Sequence, residues 1–177
     1  MTYRIVKTDA FKVFGIEGII STSGDPNYYP HEGEFWGVVN SNPAEDSQYT
    51  KLANDAGIVK HPFNDNMFNQ EMCKIHGLMN YNQINETTYG YMLCSFVAPD
   101  SNTNGYKIVD IPAATWVAFN ADMPDWDMCK TMGELILYSK EWIASSGFEK
   151  ADGPEFEMYG GSPDHGYIEY WMPITKA

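Results

Sequence analysis

The chain has 177 residues, 24 acidic against 11 basic side chains, a formal charge of −13, and 44% hydrophobic and 15% aromatic residues. That length fits one domain, that apolar share excludes a disordered chain, and no run reaches the ~18 apolar residues of a membrane span. The acidic balance argues against direct nucleic-acid binding, which needs clustered Lys and Arg to displace counterions; the basic residues are dispersed, and the same field attracts cations.

Cys73, Cys94 and Cys129 are scattered and odd in number. They read as reduced, mostly buried thiols rather than a disulfide framework. Met1-Thr2-Tyr3-Arg4 lacks the pattern of a secretory signal, so a cytoplasmic location is expected.

Lys12 to Ser21, KVFGIEGIIS, predicts a strand. Ser23 to Asn27 is turn chemistry, with Tyr28-Tyr29 in a surface loop. Pro30 to Trp36 opens a helix with acidic residues in its first turn, which Asn40 to Pro43 breaks. Asp46 to Ala56 reads as a second short helix stopped by Gly57. Residues 61–72 read as a loop with a short turn. Lys74 to Tyr81 and Thr88 to Val97 are two strands joined by a hairpin loop at Asn82 to Thr87, and Pro99 to Gly105 is a loop. Tyr106 to Asp110 and Ala113 to Asn120 are strands separated by Pro112. Asp125 to Ser145 carries apolar residues near a 3.6 period and reads as a helix, with Trp126, Trp142 and Phe119 assigned to core packing. Pro154 to Tyr159 and Tyr167 to Pro173 close the chain as strands.

Tyr3-Arg4-Ile5-Val6 is answered by Tyr106-Lys107-Ile108-Val109 at an offset of 103. Each is followed by a strand, helix and two more strands, so the order β-α-β-β occurs twice. The expected fold is therefore α+β: one domain over 1–177, with repeat halves at about 1–98 and 105–177 and a pseudo-two-fold cleft between them. Such a cleft is a common place for a ligand.

GPEFEMYGG, at 153–161, frames the chemical question. On a strand, Phe156 and Met158 point one way and Glu155, Glu157 and Tyr159 the other. Either that second face is wet or a carboxylate beside a tyrosine points into a cavity. Other chemistry is poorly supported. Cys73-x-x-His76 offers two metal ligands without a second pair, and His31, His61 and His165 are dispersed. There is no G-x-S-x-G elbow, and Gly160-Gly161-Ser162-Pro163 lacks the lysine of a phosphate loop. No metal or cofactor is expected.

AATWVAFNADMP at 113–124, EW-x-x-SSG at 141–147, Glu157-x-Tyr159 and the closing E-x-W-x-P-I at Glu169 to Ile174 resemble the GyrI-like effector-binding family. That family includes the ligand domains of AraC-type and MerR-type multidrug-sensing regulators. Phe35-Trp36 matches its aromatic position on the first helix, and Gly90-Tyr91 fits its third strand. The resemblance implies a duplicated antiparallel sheet with helices packed on it. It also implies an aromatic cavity with a carboxylate on the penultimate strand, here Glu157. The ligands it implies are bulky hydrophobic, often cationic, molecules. No stretch precedes Tyr3 for a helix-turn-helix, so regulation is expected to run through a separate protein partner.

The candidate ligand-binding residues are Glu157, Tyr159, Phe35, Trp36, Tyr89, Tyr91, Trp116 and Trp171, with Glu169 as a competitor for the carboxylate and Glu155 assigned to solvent. Aromatic faces would hold an organic cation, the carboxylate would neutralise it, and tyrosine hydroxyls would support the carboxylate. The leading expectation is a protein that senses or sequesters small hydrophobic, cationic molecules; the same residues leave enzymatic activity open. The alternatives are a hydrolase of strained electrophiles with Glu157 as general base, and an acidic gyrase-inhibitor-like interaction module.

Overall fold

A computed structural model describes residues 1–40, 46–57, 74–125, 127–162 and 165–177, without the side chain of Ser162. The expected loop at 61–72, the break at 41–43, Cys73 and Trp126 lie outside the described residues. The elements are β1 (Thr2–Thr8), β2 (Phe11–Ser21), α1 (Glu32–Asn40), α2 (Gln48–Asp55), β3 (His76–Met79), β4 (Gln83–Asn85), β5 (Thr88–Phe96), β6 (Lys107–Ile111), β7 (Ala114–Met123), α3 (Met128–Ile143), β8 (Phe148–Lys150), β9 (Glu155–Ser162) and β10 (His165–Lys176). No described helix is long and apolar enough to cross a membrane.

The fold is α+β. The strands run antiparallel in the order β1-β7-β10-β9-β3-β5-β2-β6, with β4 added to β5 and β8 to β10. This order reads the same from both ends under the sequence offset. Arg4 faces Ala118 and Lys107 faces Gly15; Arg4 and Lys107 are 103 positions apart, and so are their partners Gly15 and Ala118. The leading strand of each repeat is exchanged: β1 pairs with β7 of the second half, and β6 with β2 of the first.

That exchange dictates the shape. β1 and β2 are six strand spacings apart in the sheet, about 29 Å if it were flat. Yet Asp9 and Ala10 alone connect them, and three Cα steps reach at most ~11 Å. The same conflict holds for β6 and β7 across Pro112 and Ala113. The sheet therefore curls, and its inner side closes on itself. Val13, Leu78, Met92, Trp116, Phe156, Met158 and Trp171 form this inner core without any helix residue. Phe11 on β2 reaches Phe156 on β9, three strands away, with ring centroids 6.0 Å apart.

The helices occupy the outer side. Phe35, Val39 and Leu52 of α1 and α2 pack on Phe14, Ile20, Tyr91 and Leu93. Met132 and Leu135 of α3 pack on Val117, Phe119, Ile168 and Tyr170. Trp142 stacks on Phe148 and lies edge-on to Phe119, as a core assignment requires. Helix starts are set by side chains. Ser47 accepts from the Thr50 N–H at 3.1 Å, capping α2.

α3 begins three residues later than its sequence pattern predicts. Asp127, not Asp125, supplies the cap by accepting from the Lys130 N–H at 3.0 Å, while β7 runs on to Met123. Two short strands were not anticipated. β4 lies inside the expected 82–87 hairpin loop, and β8 follows the helix stop, where Gly147 adopts φ +72°. Both are only three residues long, too short for alternation to register.

Candidate functional site

Alternation on β9 sends Phe156 and Met158 into the inner core and Glu155, Glu157 and Tyr159 to the helical side. α1 covers one half of the sheet and α3 the other. Over the β3–β9 junction, at the pseudo-two-fold axis, they leave a cavity of about 560 Å³. Its walls include Trp36, Met132, Ile136 and Tyr159, and it carries Glu32 and Glu157.

Glu157 is tied to the protein through one oxygen. Its Oε2 accepts from the Tyr91 hydroxyl at 2.7 Å and the Tyr159 hydroxyl at 2.8 Å. Trp36 Nε1 donates to the Tyr91 oxygen at 2.8 Å, completing a relay from α1 through β5 to β9. Trp36 also meets Tyr159 edge to face, with centroids 5.7 Å apart. Withdrawal from water pushes the Glu157 carboxyl above its ordinary value. The two tyrosine bonds oppose that shift, and the negative charge of Glu32 adds to it. Burial, and then the Glu157 charge, push both tyrosine hydroxyls well above their ordinary value, so they remain donors at neutral pH.

Glu32, in the first turn of α1, accepts from the Tyr89 hydroxyl. Tyr89 and Tyr91 share a face of β5, so the two carboxylates are held by tyrosines whose backbones lie about 7 Å apart along that strand.

Three carboxylates on β9 and β10 differ in what neutralises them. Glu155 is 2% exposed and is paired with Lys150, Asn80 and Tyr170. This corrects the sequence expectation of a solvated Glu155: Lys150 on β8, Asn80 after β3 and Tyr170 on β10 close around it. Glu169 is fully buried on the inner side, gripped by Arg4 and by Tyr167 and Trp171 at 2.6 and 2.7 Å. Glu157 has no basic partner among the described residues.

The expected site residues thus separate. Glu157, Tyr159 and Trp36 line the cavity. Tyr91 stands behind Glu157, and Tyr89 holds Glu32. Phe35 turns from the cavity to pack on Tyr29, Tyr91 and the Cα of Gly18, where an added Cβ would lie 2.6 Å from its ring. Trp116, Trp171 and Glu169 are corrections. They belong to the opposite face of the sheet and are sealed in the inner core, because strand parity fixes their side and the curl closes it.

Sequence reasoning missed Glu32, read there as a helix-dipole residue, and Met132 and Ile136, read as core. It also missed Gly77, which faces Glu157 in register. A Cβ at Gly77 would lie 2.3 Å from the Tyr91 hydroxyl and 2.7 Å from Glu157 Oε2. Gly77→Ala is expected to cost about 1–3 kcal/mol in urea denaturation, as overpacking does. Adding Tyr91→Phe, which removes the nearest clashing atom, should recover part of that loss; no recovery would mean the strain lies elsewhere. Among the described residues no group of three His, Cys, Asp or Glu is placed to hold a metal ion.

The curled duplicated sheet with a cavity at its axis defines a GyrI-like effector-binding domain. The model of the integron-associated effector binding protein family matches residues 4–174, and the chain belongs to that family. Among solved structures, the fold is similar to SAV2435 bound to tetraphenylphosphonium, at 15% identity and a TM-score of 0.68, covering 99% of this chain and 94% of that one. It is also similar to an integron cassette protein from the mobile metagenome of Vibrio cholerae, at 15% identity and a TM-score of 0.60, covering 98% and 95%. The EcmrR C-terminal domain matches at 12% identity and a TM-score of 0.59, covering 99% and 98%. No curated protein matches the chain significantly.

Proposed function

We propose that this domain binds bulky lipophilic cations in the cavity between α1 and α3, with Glu157 as counter-charge and Trp36 and Tyr159 as aromatic walls. One observation carries the reading: Glu155 and Glu169 each have a basic partner, whereas Glu157 faces the cavity with tyrosine donors and no cation among the described residues. A carboxylate withdrawn from water and left unneutralised costs stability, and that cost is returned when a cation arrives. Each ring face would add roughly 0.5–2 kcal/mol by cation–π attraction. Membership of an effector-binding family and the tetraphenylphosphonium complex of SAV2435 support the same ligand class.

Tetraphenylphosphonium and tetraphenylborate have the same shape and opposite charge, so they separate charge recognition from simple apolar fit. Calorimetric titration is expected to show binding of the phosphonium and none of the borate. Glu157→Gln should weaken the phosphonium by about ten- to a hundredfold, or ~1.4–2.7 kcal/mol. Equal affinity for both ions, or an unchanged phosphonium affinity in the variant, would remove Glu157 from the site.

A further inference from the structure

The cavity holds a second carboxylate that a single positive charge leaves unbalanced. Glu32 lines the same space as Glu157, and its charge acts on Glu157. It accepts from Tyr89, a neutral donor, and forms no ion pair with a described residue. The neighbouring His31 turns its Nδ1 to the Glu34 N–H at 3.2 Å rather than to the Glu32 carboxylate. Cys129, Tyr159 and His31 are the remaining titratable groups on the lining. With both glutamates ionised, the pocket presents two negative charges to one occupant.

We propose that the cavity is matched to a lipophilic dication, with Glu157 taking the charge buried against the aromatic walls and Glu32 taking a second charge nearer the α1 end. This rests on the reading of the cavity as a cation site and specifies its ligand class. The anchoring tyrosines are two residues apart on one face of β5, so the occupant's two charges need only a short spacer between them. A flat aromatic cation with a short aminoalkyl arm fits that requirement. A monocation of the same ring system leaves Glu32 uncompensated, and two unit charges at this range in a partly buried setting are worth a measurable affinity step.

Ethidium and propidium test it. They share one phenanthridinium ring, and propidium carries an additional quaternary ammonium on a propyl arm. Fluorescence titration at fixed moderate salt is expected to show propidium binding roughly tenfold more tightly than ethidium. Glu32→Gln should reduce propidium affinity more than ethidium affinity and bring their ratio near one, while Glu157→Gln weakens both. Glu149→Gln removes one exposed acid outside the cavity lining and should leave the ratio unchanged, which controls for the overall charge of −13. A ratio near one in the native protein, or a preference that survives Glu32→Gln, would overturn the dication assignment while leaving the cation site standing. Failure of both dyes and of tetraphenylphosphonium to bind would overturn the cation site itself, and this assignment with it.

Discussion

Glu157→Gln is expected to make the ligand-free protein more stable while weakening its affinity for cations. The native carboxyl titrates above its ordinary value because burial, and then the charge of Glu32, outweigh the two tyrosine hydrogen bonds. A group whose pKa is higher folded than unfolded favours the fold when protonated. Its contribution is complete below the unfolded value and is lost as pH rises through the folded one. Glutamine keeps the hydrogen-bonding shape without the charge. At low pH the variant and the native protein should therefore denature alike. Between the unfolded and folded pKa values the variant should pull ahead, levelling off above the folded value at about 1 kcal/mol, typical of relieving one functional compromise. Affinity for a lipophilic cation should rise with pH over the same window in the native protein and stay flat in the variant. Denaturation curves across that range decide the matter: a stability difference that does not change with pH, or a less stable variant at neutral pH, would show that Glu157 is already compensated.

The largest loss of stability is expected at the other end of the chain. Arg4, on β1, holds the fully buried Glu169 on β10, 165 positions away, through both terminal guanidinium nitrogens, one at 2.9 Å. Tyr167 and Trp171 occupy the remaining acceptor positions, and the guanidinium lies over the Trp171 ring at 5.2 Å from its centroid. Arg4→Met keeps the apolar stem and leaves a buried carboxylate with hydroxyl and indole donors alone. Removing one partner of a buried pair costs about 3–5 kcal/mol, and the lower end is expected because the Arg4 side chain is 26% exposed. Glu169→Gln in the same background should recover much of the loss, since the amide oxygen can still accept from Tyr167 or Trp171. Urea unfolding of the four members of this cycle gives the coupling. A single-variant loss below about 1 kcal/mol would place the pair among weak surface bridges.

The duplicated organisation was legible before any coordinates. The echo at Tyr3 and Tyr106, the 3.6-residue period of α3 and the alternation of β9 are local properties, and local properties are what a linear sequence records. The same alternation placed Glu157 with Tyr159, and the motif resemblance selected Glu157 from among the acids. What alternation cannot record is which side of the sheet is closed, because both sides of β10 are apolar: Ile168, Tyr170 and Met172 face α3, and Trp171 faces the inner core. The aromatic residues Trp116 and Trp171 looked equivalent to Trp36 for that reason.

By itself, then, the sequence determined a duplicated α+β domain, the order of its longer elements, and a Glu157–Tyr159 pair on one strand face. Those follow from the 2.0 and 3.6 periodicities of neighbouring residues. Tertiary structure alone decided that β1 and β6 change halves, that the sheet curls shut over Trp116, Trp171 and Glu169, and that Glu32 joins Glu157 in one cavity. These outcomes depend on the reach of two-residue connectors and on contacts between residues more than a hundred positions apart, which no local pattern carries.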